Sequence, residues 1–310
     1  MIMHRNDQTL AIRALKSAAP YIRMYKGKTF VVKAGGGVFA DGTATRVLVE
    51  QIAILHYFGV RVVLVHGGGP QLTELSAALG VPTRMVEGRR VTDQQAIDVT
   101  SMVLNGLINT RVLGICRDLN IEAVGISGVD AGLVRAHRRA PMKTGGGELV
   151  DFGFVGDIDQ VDTSVLKKLL DNGLMPVVSP LSADEAGTLL NINADTVAAA
   201  LGAALGAEKL ILCTGAPGIL GDISDPGSLI SYTDLSGLRR LREEGRIAAG
   251  MLPKAKAIED AIRGGVRRVH VVSYQSPEGI LGEVFTNEGT GTMIVADVNA
   301  LSPAEQQSHS

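Results

Sequence analysis

The chain is poor in cysteine, lacks tryptophan and carries no excess of charge of one sign. Cys116 and Cys213 are its only cysteines, with no CxxC pair and no Cys/His cluster, which speaks against a disulfide framework and against structural zinc. A reducing compartment is the expectation. Net charge is −2 with 20% charged residues of mixed sign, so no field invites nucleic acid or an anionic membrane. No apolar run reaches the roughly 18 residues of a membrane span, and Arg5, Asp7, Arg13 and Lys16 in an amphipathic pattern do not make a signal peptide. A cytoplasmic protein with a small-molecule partner is expected. What is present fits that: 310 residues, 45% of them hydrophobic, fill one large α/β domain or two ordinary ones. Glycine, 38 residues, exceeds the usual share of about 7%. It clusters in loops, which indicates close backbone approaches.

Taken in order, residues 8–26 place Ala11, Leu15, Ala18, Ile22 and Tyr25 on one helical stripe, with a kink expected at Pro20. Lys28 to Lys33 reads as a buried strand that ends in Gly35-Gly36-Gly37. Gly27-Lys28-Thr29 mimics the end of a P-loop, but Ile22 stands where a glycine is needed and a strand follows, so it is set aside. A helix over 43–58 and a strand over 61–65 lead into His66-Gly67-Gly68-Gly69-Pro70, a strand, glycine loop and helix that predict a largely parallel sheet. Three successive glycines there make an anion nest or a plain tight turn. A polar hairpin over 84–91 carries Arg89 and Arg90, either solvated or able to clamp a carboxylate. A long helix over 93–119 follows, then strands over 122–126, 133–137 and 152–161, a helix over 164–170 and a strand over 174–178. Residues 179–188 are the plausible domain boundary. The second half alternates again: helix 196–206, strand 209–213, glycine loop 214–221, helices 234–244 and 253–263, strands 268–272 and 292–295. Residues 302–310 are polar and expected to fray.

Asn191-Ile192-Asn193-Ala194-Asp195 sits where a loop enters a helix, so its side chains cap backbone N–H groups, and anions bind at such ends too. Lys33 ends a strand at one glycine loop, and Lys254 follows Met251-Leu252-Pro253 at a helix start. Either lysine alone reads as a surface residue. Together they suit phosphoryl transfer, which needs donor and acceptor held in line and positive charge on the transferring oxygens.

On these and further stretches the sequence resembles the amino acid kinase superfamily and, within it, the N-acetylglutamate kinases of arginine biosynthesis. The matching stretches are Val31 to Gly36, Leu64 to Gln71, Gly88 to Thr92, Phe154 to Asp157, Leu190 to Asp195, Gly250 to Lys254, Gly282 to Thr286 and Gly289 to Thr292, collinear over nearly the whole chain. The resemblance implies an α/β fold, an open αβα sandwich with a mainly parallel central sheet. Residues 1–26 would form an oligomerisation helix, 27–182 an acyl amino acid lobe and 183–310 a nucleotide lobe. It implies Lys33 and Lys254 as stabilisers of the transferring phosphoryl group and Asp195 as their organiser. Gly68, Gly69, Arg90, Asn191 and Asn193 would face N-acetyl-L-glutamate, and Gly35, Gly36, Thr214, Gly215, Gly218 and Met251 would face ATP, which carries its own Mg²⁺. His270, Glu283 and Gly291 fall where the arginine-inhibited, hexameric members bind arginine, and the helix with Pro20-Tyr21-Ile22 is similar to their extra helix.

The sequence departs from the family pattern at Ala34, at Gly215, where an Asp is usual, at Ala249, where a Gly is usual, and at Leu107 and Val129, where lysines are usual. Two alternatives to the acetylglutamate kinase stand beside it: a kinase for N-acetyl-aminoadipate, and a non-catalytic arginine-sensing protein.

Overall fold

The computed structural model describes residues 5–300 apart from 223, 226 and 248; the tail expected to fray, 302–310, lies outside the described residues. Helix α1 (Arg5–Tyr25) runs unbroken through Pro20. Strand β1 (Thr29–Ala34) is followed by a 3₁₀ turn over Gly36–Ala40, α2 (Gly42–Tyr57) and β2 (Arg61–His66). Asp41 starts α2 by accepting from the N–H groups of Thr43 and Ala44. Next come α3 (Gly69–Ala78) and the hairpin β3 (Arg84–Val86) and β4 (Arg89–Val91). The expected long helix is α4 (Gln94–Ser101), a π turn over Met102–Asn109 and α5 (Thr110–Asp118). This continuous run is long and apolar enough to cross a membrane. Val103, Leu104, Ile108 and Val112 nevertheless lie in the same buried cluster as Val32 and Leu64 of the sheet, so the apolar stripe is spent on the core.

Strands β5 (Ala123–Ser127), β6 (Val134–Arg138), β7 (Met142–Lys143), β8 (Leu149–Val150) and β9 (Gly156–Val161) lead to α6 (Ser164–Asp171) and β10 (Met175–Ser179). The alternation over 152–161 becomes a strand only from Gly156; Phe152 and Phe154 precede it. Strands β11 (Leu181–Ala183) and β12 (Leu189–Asn191) flank a turn in which the Asp184 carboxylate accepts from Ala186 and Thr188. After them come α7 (Ala194–Leu205), β13 (Lys209–Thr214), β14 (Tyr232–Asp234), α8 (Leu235–Glu243), α9 (Leu252–Arg263), β15 (Arg268–Ser273), α10 (Gly279–Phe285) and β16 (Thr292–Val295).

The main sheet has the order β14-β16-β15-β13-β1-β2-β10-β5, parallel throughout except for β15 against β16. Its strands read as continuous apolar runs because helices cover both faces. Phe30, Val32 and Ala34 of β1 join the cluster under α2 and the long helix, whereas Val31 joins the one under α7 and α9. Period two then aims Lys33 toward α7 and α9 as well. A second sheet, β12-β11-β6-β9, packs beside the first. Because the central strands β1, β2, β13 and β15 all run one way, their four following loops share one edge, the usual ligand crevice of open α/β sheets.

At α1 the structure divides the expected stripe. Tyr25 is buried on Phe30, and the Tyr21 hydroxyl reaches Asn287, so the helix end docks on its own chain. Leu15 of the stripe is more than half exposed, as are Leu10 and Ile12 outside it.

Candidate active site

The α7 entry is built by Asn193, whose side-chain oxygen accepts from the N–H groups of Asp195 (2.7 Å) and Thr196 (3.4 Å). The cap is therefore Asn193, which leaves the Asp195 carboxylate free to turn inward. Asp195 Oδ1 lies 2.8 Å from Lys33 Nζ and 3.0 Å from Lys254 Nζ, and Oδ2 is 3.1 Å from Lys254 Nζ. All three side chains are about nine-tenths buried. Lys254 stands in the first turn of α9, where the helix dipole opposes a cation, so Asp195 must hold it there. Burial first, and then the Lys33 ammonium, push Lys254 below the ordinary lysine value. Burial alone would raise Asp195, but the Lys33 and Lys254 ammoniums together outweigh it and keep the carboxyl ionised. Two ammoniums against one carboxylate leave a net positive charge in a dry place, the electrostatics of an anion site.

The glycine loops meet beside this triad. A Cβ on Gly36 would stand 2.7 Å from Pro70 Cδ and 2.8 Å from the Gly69 nitrogen, so only glycine permits the approach. Gln71 Nε2 donates to the Gly36 carbonyl at 2.9 Å and clasps the two loops. Gly68 lies under Ile108 and Leu104 of the π turn, each within 2.8 Å of a Cβ placed there. Asn109, at the end of that turn, donates to the Val177 carbonyl (2.9 Å) and lies 3.2 Å from His66 Nε2. Burial pushes His66 down to about 4, so its ring is neutral. Arg90 leans over the start of α3, bonded to Thr73 Oγ1 (2.7 Å), Thr83 Oγ1 (3.0 Å) and the Gly69 carbonyl (3.3 Å). Asn191 closes β12, with its amide 3.3 Å from Thr92 Oγ1. It therefore belongs to a strand end and not to the loop expected from the pentapeptide.

On the other side, the Thr214 hydroxyl bonds within its own loop to Ala216, which shapes the turn around Gly215. Gly218 and Met251 line one apolar cavity of about 110 Å³ with Ile219, Leu238, Ala255 and Ile258. Burial raises the Cys116 and Cys213 thiols to about 11 and about 12, so neither is a nucleophile at neutral pH.

Farther along the sheet, His270 Nδ1 is 2.7 Å from Glu283 Oε1, and Glu283 Oε2 accepts from the N–H groups of Thr290 (2.7 Å) and Gly291 (2.9 Å). The three residues expected around an effector are thus brought together. Sequence reasoning missed the fourth. Lys209 Nζ lies 2.9 Å from His270 Nε2 and 5.2 Å from the centre of the Tyr25 ring, fully buried. A lysine at a strand start resembles any surface lysine; in the fold its ammonium lies between His270 and the Tyr25 ring of α1. Burial pushes Lys209 down to about 7 and His270 to about 4; Glu283 is held near 2 because His270 and two N–H groups outweigh its burial.

Residues 28–273, which hold the triad, both glycine loops and the His270 strand, match the amino acid kinase family. The chain belongs to that family. It is 48% identical over 296 residues to an acetylglutamate kinase of Myxococcus xanthus, covering 94% of this chain and 96% of that protein. With an acetylglutamate kinase of Symbiobacterium thermophilum it shares 42% over 281 residues, 91% of this chain and 96% of the relative. Among solved structures it is similar to N-acetylglutamate synthase from Neisseria gonorrhoeae complexed with coenzyme A and L-arginine, with a TM-score of 0.79 and 26% identity. That likeness covers 92% of this chain but 65% of the synthase chain.

Proposed function

We propose that the protein transfers the γ-phosphoryl group of ATP to the γ-carboxylate of N-acetyl-L-glutamate, the second step of arginine biosynthesis, in the cytoplasm. The observation that carries this reading is the buried Lys33–Asp195–Lys254 triad at the mouth of two touching glycine loops. A carboxylate oxygen of the acceptor attacks the γ-phosphorus, a new P–O bond forms, the bond to the β-phosphate oxygen breaks and ADP departs. No proton need move. Catalysis is then positioning plus charge stabilisation, and the two lysines, both held by Asp195, supply the charge. Arg90, Gly68, Gly69, Asn191 and Asn193 form the acceptor side, where the first N–H groups of α3 lack helical partners. Gly35, Gly36, Thr214 and Gly215 form the phosphate side, and the apolar cavity with Gly218 and Met251 suits the adenine ring. Mg²⁺ arrives on the ATP oxygens, because Asp195, the carboxylate at this centre, is already held by two ammoniums.

Arginine inhibition and a homohexamer, a trimer of dimers, complete the proposal. The support is the link from Tyr25 of α1 through Lys209 to His270 and Glu283, together with the exposed Leu10, Ile12 and Leu15 that a second copy would cover. Glu283 is enclosed and satisfied, so a guanidinium would enter by displacing Lys209 and loosening α1. The enzymatic reading is favoured over the non-catalytic sensor because both ammoniums and their carboxylate converge. ADP release in a coupled assay with N-acetyl-L-glutamate tests it; activity on N-acetyl-aminoadipate alone would move the acceptor, and no ADP with either would end the reading.

A further inference from the structure

Strands β15, β13 and β1 are neighbours in the sheet, and Tyr274, Gly215 and Gly37 stand in the loops at their carboxyl ends. The Tyr274 N–H donates to the Thr214 carbonyl at 2.9 Å, which ties the residue to the end of β13. From there the side chain spans the loop of one strand to reach that of the next. Its hydroxyl lies 3.4 Å from where a Cβ would stand on Gly215 and 2.7 Å from where one would stand on Gly37. A methyl group on Gly37 would displace the phenol; one on Gly215 would just touch it. The ring is half-buried against the core, and its hydroxyl has no hydrogen-bond partner among the described residues.

The hydroxyl is unpartnered yet not sealed from solvent, so it is a donor within reach of a ligand, and packing alone, which a phenylalanine would supply equally, does not account for it. The strand order places it on the β13 side of Lys33, whereas Arg90 and α3 lie on the β2 side. Resting on the nucleotide-side assignment above, we propose that the Tyr274 hydroxyl donates a hydrogen bond to the phosphate tail of the bound nucleoside triphosphate where it passes between the Gly37 and Thr214 loops. A hydrogen bond to a phosphate oxygen is charge-assisted and correspondingly strong. Nothing in the local pattern marks this residue, because a lone tyrosine after a strand carries no motif.

Calorimetric titration with a non-hydrolysable ATP analogue and, separately, with N-acetyl-L-glutamate tests the assignment on the full chain. Tyr274→Phe should weaken the analogue about tenfold, within the range for losing a hydrogen bond to a charged group, and leave the acceptor unchanged. Gly37→Ala should weaken the analogue in the wild-type background but add little to Tyr274→Phe, because the atom it strikes is gone and the nearest ring carbon stands 3.5 Å away. The readout that a purely structural tyrosine would not move is the selective loss of analogue affinity in Tyr274→Phe with acceptor affinity unchanged; the double variant then shows that Gly37→Ala acts through the same hydroxyl. Tyr274→Phe binding the analogue as tightly as wild type, or additive effects of the two changes, would overturn the inference alone. A wild-type protein that binds no nucleotide would overturn the nucleotide side and the inference with it.

Discussion

Lys254 Nζ bonds both oxygens of Asp195, at 3.0 and 3.1 Å, across 59 positions of sequence, and joins the starts of α7 and α9 at one point beside Lys33. Under the proposed mechanism, removing either lysine would take away one preorganised stabiliser of transition-state charge. Lys33→Ala and Lys254→Ala should each lower kcat by about 10²–10³, the scale for such a group, with less effect on acceptor binding. Steady-state kinetics decide it: losses below about tenfold would contradict the assigned roles.

Asp195 and Asn193 can be separated. Asn193→Ala removes the helix cap and should cost about 1 kcal/mol of stability in denaturant titration. Asp195→Asn keeps the cap yet leaves two buried ammoniums without a counter-charge, so turnover should fall on the scale of the lysine variants. If Asp195→Asn remains near wild-type rate, the carboxylate does not organise the lysines.

The Lys209–His270–Glu283 cluster makes stability fall toward acid. Lys209, near 7 in the fold against about 10.5 unfolded, binds its proton more readily in the unfolded chain, so its contribution grows as pH rises from about 7 to 10.5. His270, near 4 against about 6.5, acts likewise, and its contribution is lost as pH falls from 6.5 to 4. Glu283, near 2 against about 4.5, contributes fully above 4.5 and loses this as pH falls through 2. Urea midpoints at pH 7 and pH 9 should therefore differ more for wild type than for Lys209→Met. Parallel shifts in the two proteins would show that Lys209 is not the source.

Deletion of residues 1–18 removes exposed Leu10, Ile12 and Leu15 but retains Tyr21 and Tyr25, which dock on the chain's own core. The product should sediment as a smaller assembly, stay active and lose its response to arginine. An unchanged assembly with inhibition intact would remove α1 from the account.

Much of the sheet was legible because fully buried parallel strands are apolar runs closed by glycine loops: β1, β2, β13, β15 and β16 fall within a residue or so of their expected bounds. The short pieces were not. Strands β11 and β12 have three residues each, too few for a period, and α10 contains Gly279 and Gly282, which lower helix propensity. At the centre, Lys33, Asp195 and Lys254 could be chosen from their loops. Their mutual distances depend on how α7 and α9 pack on one face of the sheet, which no local pattern states. Lys209, Asn109, Gln71 and Tyr274 act through contacts with residues remote in sequence, and their types carry no motif.

The most direct test of the central claim is to count products. The protein, MgATP and N-acetyl-L-glutamate are mixed with hydroxylamine, which converts an acyl phosphate to a hydroxamate, while ADP is followed in parallel. The account predicts ADP and hydroxamate in equal amounts, dependent on the acceptor and nearly abolished in Lys254→Ala. ADP without hydroxamate, or neither product while arginine still binds, would contradict it.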